Sequence, residues 1–76
     1  MHRSLERRDA PENIDRFYRL DLERDLFGEW CVTRRWGRNG TYGRHKIASF
    51  DSARAALSAF HAFEATKRRR GYVARG

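Results

Sequence analysis

The segment Trp36-Gly37-Arg38-Asn39-Gly40-Thr41-Tyr42-Gly43-Arg44 concentrates the chemistry of this chain. Counting Arg35, ten residues hold three glycines, three arginines and two aromatic rings, with no carboxylate among them. A guanidinium is a planar fork that matches phosphate oxygens, and an indole offers a face on which a base or sugar can lie. Glycine lets the backbone take positive φ and lets a ligand come close to the main chain. Together these residues describe a site for a polyanion, and nucleic acid is the polyanion that uses both charge and ring. Five cations surround Trp36 as candidate phosphate ligands: Arg34, Arg35, Arg38, Arg44 and Lys46. Alternate residues of a strand share a face, so Arg34 lies with Trp36 whereas Arg35 points away. A charged edge that merely blocks aggregation usually mixes signs, and this one does not.

Other chemistries have less support. Gly37, Gly40 and Gly43 lack the Gly-Lys-Ser/Thr ending of a phosphate loop and the strand–helix setting of a dinucleotide fingerprint. His2, His45 and His61 are scattered and Cys31 is alone, so a zinc cage is not expected. His61 falls beside a helical packing stripe and reads as structural. No nucleophile–base pairing stands out, so the chain is read as a binding module without cofactor, metal or small-molecule substrate.

Charge is distributed in blocks. Trp30–Phe50 and Ala65–Gly76 each carry five basic residues and no acid, while the remaining segments are balanced or slightly acidic, within a total of +7. That asymmetry argues for a directed basic face. Within the second block, Lys67 and Arg68 open the run Lys67–Arg70 at a helix end, where cations also favour the dipole. A single cysteine points to a reducing compartment, and neither a membrane-length apolar run nor a secretory-type segment is visible. The expected setting is soluble and cytoplasmic.

The elements that must hold these side chains follow from periodicity. Residues 1–15 are polar and charge-balanced with little apolar pattern, and read as a flexible arm preceding a domain over 16–76. Phe17–Leu22 alternates, with Tyr18, Leu20 and Leu22 on one face. Trp30–Trp36 is a second strand, with Trp30 the better core candidate and Trp36 at least partly exposed. Thr41–Phe50 fits a third. Asp51 or Ser52 caps a helix whose stripe is Ala53, Ala56, Leu57, Phe60 and Phe63, running to about Arg68, with Gly71 as its stop. Tyr72–Ala74 can add a short last strand. The expected fold class is α+β: a small two-layer domain, an antiparallel sheet with one packed helix.

With these residues in view the chain resembles the WGR domain family, named for the Trp-Gly-Arg found here at 36–38. The resemblance extends from about residue 16 to 74. It rests on Phe17-Tyr18, Gly28-x-Trp30, Trp36-Gly37-Arg38-x-Gly40-Thr41, Gly43, Phe50-x-Ser52-x-x-x-Ala56 and Lys67-x-x-x-Gly71-Tyr72, in that order. The resemblance implies a module that, in poly(ADP-ribose) polymerases, binds DNA ends. By position it implies that Trp36 lies against a sugar at a strand terminus. It places Arg38 at a DNA or partner boundary and lets Lys67 support a backbone contact. Nothing in these residues matches the catalytic domain of those polymerases, so no ADP-ribosyl transfer is implied. The candidate interface is thus Arg34, Trp36, Gly37, Arg38, Arg44, Lys46, Lys67 and Arg68. DNA is favoured over RNA as its ligand, and an adaptor that docks an acidic protein surface is the alternative.

Overall fold

A computed structural model describes residues 1–75; Gly76, the last residue of the expected domain, lies outside the described residues. The elements are β1 (His2–Asp9), β2 (Ile14–Arg24), β3 (Trp30–Arg38), β4 (Arg44–Phe50), α1 (Ala53–Arg69) and β5 (Val73–Ala74). They form one antiparallel sheet in the order β4-β3-β2-β1-β5, with α1 packed across one face.

Alternation along β2 sends Tyr18, Leu20 and Leu22 toward α1, where they join Leu5, Val32, Ala56, Phe60 and Tyr72 in the core. Phe60, Leu5, Leu20 and Val32 are the largest fully enclosed side chains. Burial of each contributes about 1.5–3 kcal/mol. The helical stripe is narrower than its spacing suggests: Ala56 and Phe60 are buried, whereas Ala53 and Leu57 are exposed. His61 is also exposed, its ring edge-on to Phe60, and plays no part in the core.

The first fifteen residues are not a loose arm. His2–Asp9 is a full strand in register with Ile14–Asp21, and Leu5, opposite Tyr18, is wholly buried. The charges that made this segment look solvated pair across the sheet instead. Arg8 Nε lies 3.2 Å from Asp15, and Arg3 Nε lies 3.1 Å from Glu64 on α1. The hairpin turns at Ala10–Asn13, where the Asn13 N–H donates to the Ala10 carbonyl at 3.0 Å. Pro11 occupies the second position of that turn, which its fixed φ suits. Because β5 pairs with β1, the short last strand also depends on this segment.

Ser52, not Asp51, caps α1, its hydroxyl accepting from the Ala55 N–H at 3.1 Å. At the other end the Tyr72 N–H bonds the Lys67 carbonyl and the Gly71 N–H bonds the Arg68 carbonyl. This is the paired C-terminal closure that needs a left-handed residue, and Gly71 supplies it at φ +94°. The turn sends the chain to the β1 edge of the sheet, where β5 pairs, and lays Tyr72 beside Lys67.

Candidate nucleic-acid interface

Strand register assembles the site. Tyr18, Trp36 and Arg44 are aligned across β2, β3 and β4; Leu20, Arg34 and Lys46 form the next row; Arg16 and Arg38 are paired. All of these positions therefore start from the α1 side of the sheet. Beside the C-terminal end of α1 a groove of about 430 Å³ opens, lined by Arg16, Trp36, Gly37, Arg38, Lys67 and Tyr72.

Trp36 is half-buried, with part of its ring packed on the core and part lining the groove. Trp30, expected to be the more enclosed of the two, is likewise half-buried and carries Arg24 5.1 Å from its ring centroid. Arg34 stacks on Phe63 at 4.2 Å, and its charge pulls the Tyr18 phenol toward ionisation. Burial nevertheless holds the Tyr18 phenol above its ordinary pKa. Lys67 Nζ lies 4.8 Å from the Tyr18 centroid and 5.2 Å from that of Tyr72. Burial, followed by the nearby charges of Arg70, Arg16 and Arg34, holds Lys67 below the ordinary lysine pKa. A lysine crowded by three arginines, with no ion-pair partner among the described residues, is an electrostatic cost in the free protein. A bound anion would relieve it.

The expected cations are not equivalent. Arg44 and Lys46 project, exposed, from edge strand β4 beside Trp36 and Arg34. Arg38 turns back: its guanidinium donates to the Asn13 carbonyl and side-chain oxygen at 3.3 and 3.4 Å. Arg68 is tied to Glu64, donating through Nε and Nη2 at 3.0 and 2.8 Å, and shares that carboxylate with Arg3. Gly37 lines the groove, but its missing Cβ faces the other way. A Cβ there would come 2.8 Å from Gly43 Cα. A Cβ on Gly43, whose φ is +81°, would overlap the Trp36 carbonyl. These two glycines let the β3–β4 connection fold against the strand, which is a packing requirement rather than room for a ligand.

Arg16 and Tyr72 line the groove without having been among the expected site residues, while Arg70, the end of the expected basic run, lies near Lys67. Arg16 sat in a charge-balanced stretch, although its spacing of two from Tyr18 puts it on the same face. Arg35, by contrast, points away from Trp36 as strand alternation requires, toward Phe17 and Tyr42.

The family model for the WGR domain matches residues 1–76. An uncharacterized protein of Sinorhizobium fredii, y4dW, is 38% identical over 68 residues, which is 90% of this chain and 33% of that protein. The chain thus spans about a third of that relative. A crystal structure of a Bacteroides fragilis protein aligns over 100% of this chain with a TM-score of 0.84 at 26% identity, the match covering 20% of that chain. The family model spans the whole sequence and Trp36-Gly37-Arg38 stands at the end of β3: this chain belongs to the WGR domain family.

Proposed function

We propose that the groove at the C-terminal end of α1 binds nucleic acid, and DNA at an end or nick in particular. WGR domains are generally nucleic-acid-binding modules in poly(ADP-ribose) polymerase-like proteins. The observation that carries the reading here is the crowding of Arg16, Arg34 and Arg70 about Lys67, which lines the groove together with Trp36. In this reading Lys67, Arg16, Arg34 and Arg70 meet phosphates, and Arg44 and Lys46 extend the basic track along β4. Trp36 stacks on the terminal sugar or base, an interaction worth about 1–3 kcal/mol. Arg38 and Arg68 act indirectly, through Asn13 and Glu64. The role is binding, with no chemistry of its own.

The test compares matched duplexes that differ only in terminus with closed circular DNA. Trp36→Ala should weaken binding to ended or nicked DNA by about fivefold or more and binding to circles by little. Equal loss on both would remove end recognition from the proposal. Failure to shift any duplex, single strand or nicked DNA at micromolar protein would favour the adaptor reading.

A further inference from the structure

The side of the sheet away from α1 carries a second group of cations that the groove leaves unused. Register places Arg19, Arg35 and His45 on that side, and the segment after β5 brings Arg75 to it. Phe17 also faces this side yet is only 7% exposed, because the β3–β4 connection and Arg35 cover it. A cavity of about 160 Å³ lies on this floor, lined in part by Ser4, Phe17, Arg19, Arg35, Asn39 and Arg75.

The three guanidinium groups differ in what they already hold. Arg19 Nε is 3.6 Å from Asp21, and Arg75 Nε is 3.7 Å from Glu6 while its Nη1 donates to the Asn39 oxygen at 3.4 Å. Both ion pairs are long, and each leaves most N–H groups of its fork unused. Arg35 has neither an ion pair nor a side-chain hydrogen bond among the described residues. It packs against two rings, 5.2 Å from the Phe17 centroid and 4.7 Å from that of Tyr42. Ring contacts restrict a guanidinium without satisfying its donors, so part of the entropy cost of aiming it is met by packing. Three guanidinium groups facing two carboxylates also leave the cavity net positive.

We propose that this cavity is a discrete anion site for a phosphate group, separate from the Trp36 groove. Arg35 is its central ligand, Arg19 and Arg75 flank it, and the Ser4 hydroxyl is a neutral donor. The two sites lie on opposite sides of the sheet, so occupancy of one leaves the other open. Two sources offer the same phosphate chemistry: a small phosphorylated molecule, or the backbone of a second nucleic-acid segment.

The experiment is an NMR titration of the arginine Nε–H resonances of the intact chain with sodium phosphate, at ionic strength held constant with chloride. The Arg35 resonance should move saturably. Arg75→Gln, on an exposed terminal segment that does not endanger the fold, should weaken that response by about tenfold. Arg35→Gln should abolish the response of the cavity, while Lys67→Gln, in the groove, should leave the Arg35 titration unchanged. Repeating the titration in the Lys67→Gln background with a nucleoside 5′-monophosphate and with a duplex distinguishes the sources. Movement with the duplex assigns a nucleic-acid backbone, and movement with phosphate and mononucleotide alone assigns a small molecule. No movement of Arg35, movement that chloride reproduces, or a response that Lys67→Gln removes would overturn the proposal. Loss of the groove's end preference would leave it standing.

Discussion

Replacing Lys67 with methionine separates the stability of the groove from its binding. In the free protein the ammonium gains from Tyr18 and Tyr72, at 4.8 and 5.2 Å from their centroids. Such contacts are worth about 0.5–1 kcal/mol each where water still reaches them. Burial and the charges of Arg70, Arg16 and Arg34 work against it, and their sum holds its pKa below the ordinary lysine value. Methionine keeps the apolar stem and its contact with the rings, worth about 0.3–1.5 kcal/mol, while removing the charge. The gains and losses nearly offset, so stability should change by less than about 1 kcal/mol, roughly 4–8 °C in Tm at most for a domain of this size.

Binding has no such offset. Losing one charge-assisted contact to phosphate should cost about 1.5–3 kcal/mol, or about tenfold or more in affinity. If the face neutralises around five phosphates, the slope of log K against log salt is near −4.5 and should fall to about −3.6 in the variant. The sign of the pH effect follows from the lowered pKa. A bound phosphate favours the protonated amine, so wild-type affinity should drop as pH rises through the lowered Lys67 pKa, and Lys67→Met should lack that drop. In the free protein the same shift makes folding more favourable as pH rises through that range toward the ordinary value. Fluorescence anisotropy with a labelled duplex at several salt concentrations and pH values, beside thermal melts, reads all of these quantities. An unchanged salt slope, or a Tm loss large enough to account for the weaker binding, would refute the assignment of Lys67 to phosphate.

Three further expectations concern the frame that holds the site. Gly43→Ala places a methyl group against the Trp36 carbonyl at φ +81°, and should cost at least about 2–3 kcal/mol in chemical denaturation; a near-neutral variant would contradict the packing described for the β3–β4 connection. Leu5→Ala should cost about 2–5 kcal/mol, since Leu5 is fully buried opposite Tyr18, whereas a loose arm would show almost no change. The Glu64 carboxyl is pushed up by burial but pulled down further by Arg68 and Arg3, and ends below the ordinary glutamate value. Its contribution should therefore be complete above about pH 4.3 and be lost as pH falls through the lowered pKa. Glu64→Gln should lower stability near neutrality by about 1–2 kcal/mol and flatten this acid limb of the stability curve.

Period-2 alternation was enough to find β2 and β3, and the side to which Arg34, Arg35 and Trp36 each point. Period 3.6 and the Ser52 and Gly71 signals were enough to find α1. Those are local properties, readable because a strand or helix assigns faces by spacing alone. β1 escaped because one leucine among charged residues carries no periodic signal, and its charges look solvated until Asp15 and Glu64 are placed opposite them. Likewise, the alternation starts the third strand three residues too early, because Thr41–Gly43 folds back as a connection held by Thr41 donating to the Arg38 carbonyl.

For the interface, composition identified the basic segments and strand position the partly exposed indole, but neither could rank the cations. Arg38 and Arg68 look as available as Lys67 in the sequence, yet Asn13, twenty-five residues away, holds one and buried Glu64 holds the other. The two acid-free blocks were visible in the sequence from the start, as was a sheet with one helix. Their meeting around a single groove, with Arg16 drawn in, was decided only in three dimensions. Register between distant strands and the closing turn at Gly71 bring those charges together, and Coulomb interactions depend on distance in space rather than along the chain.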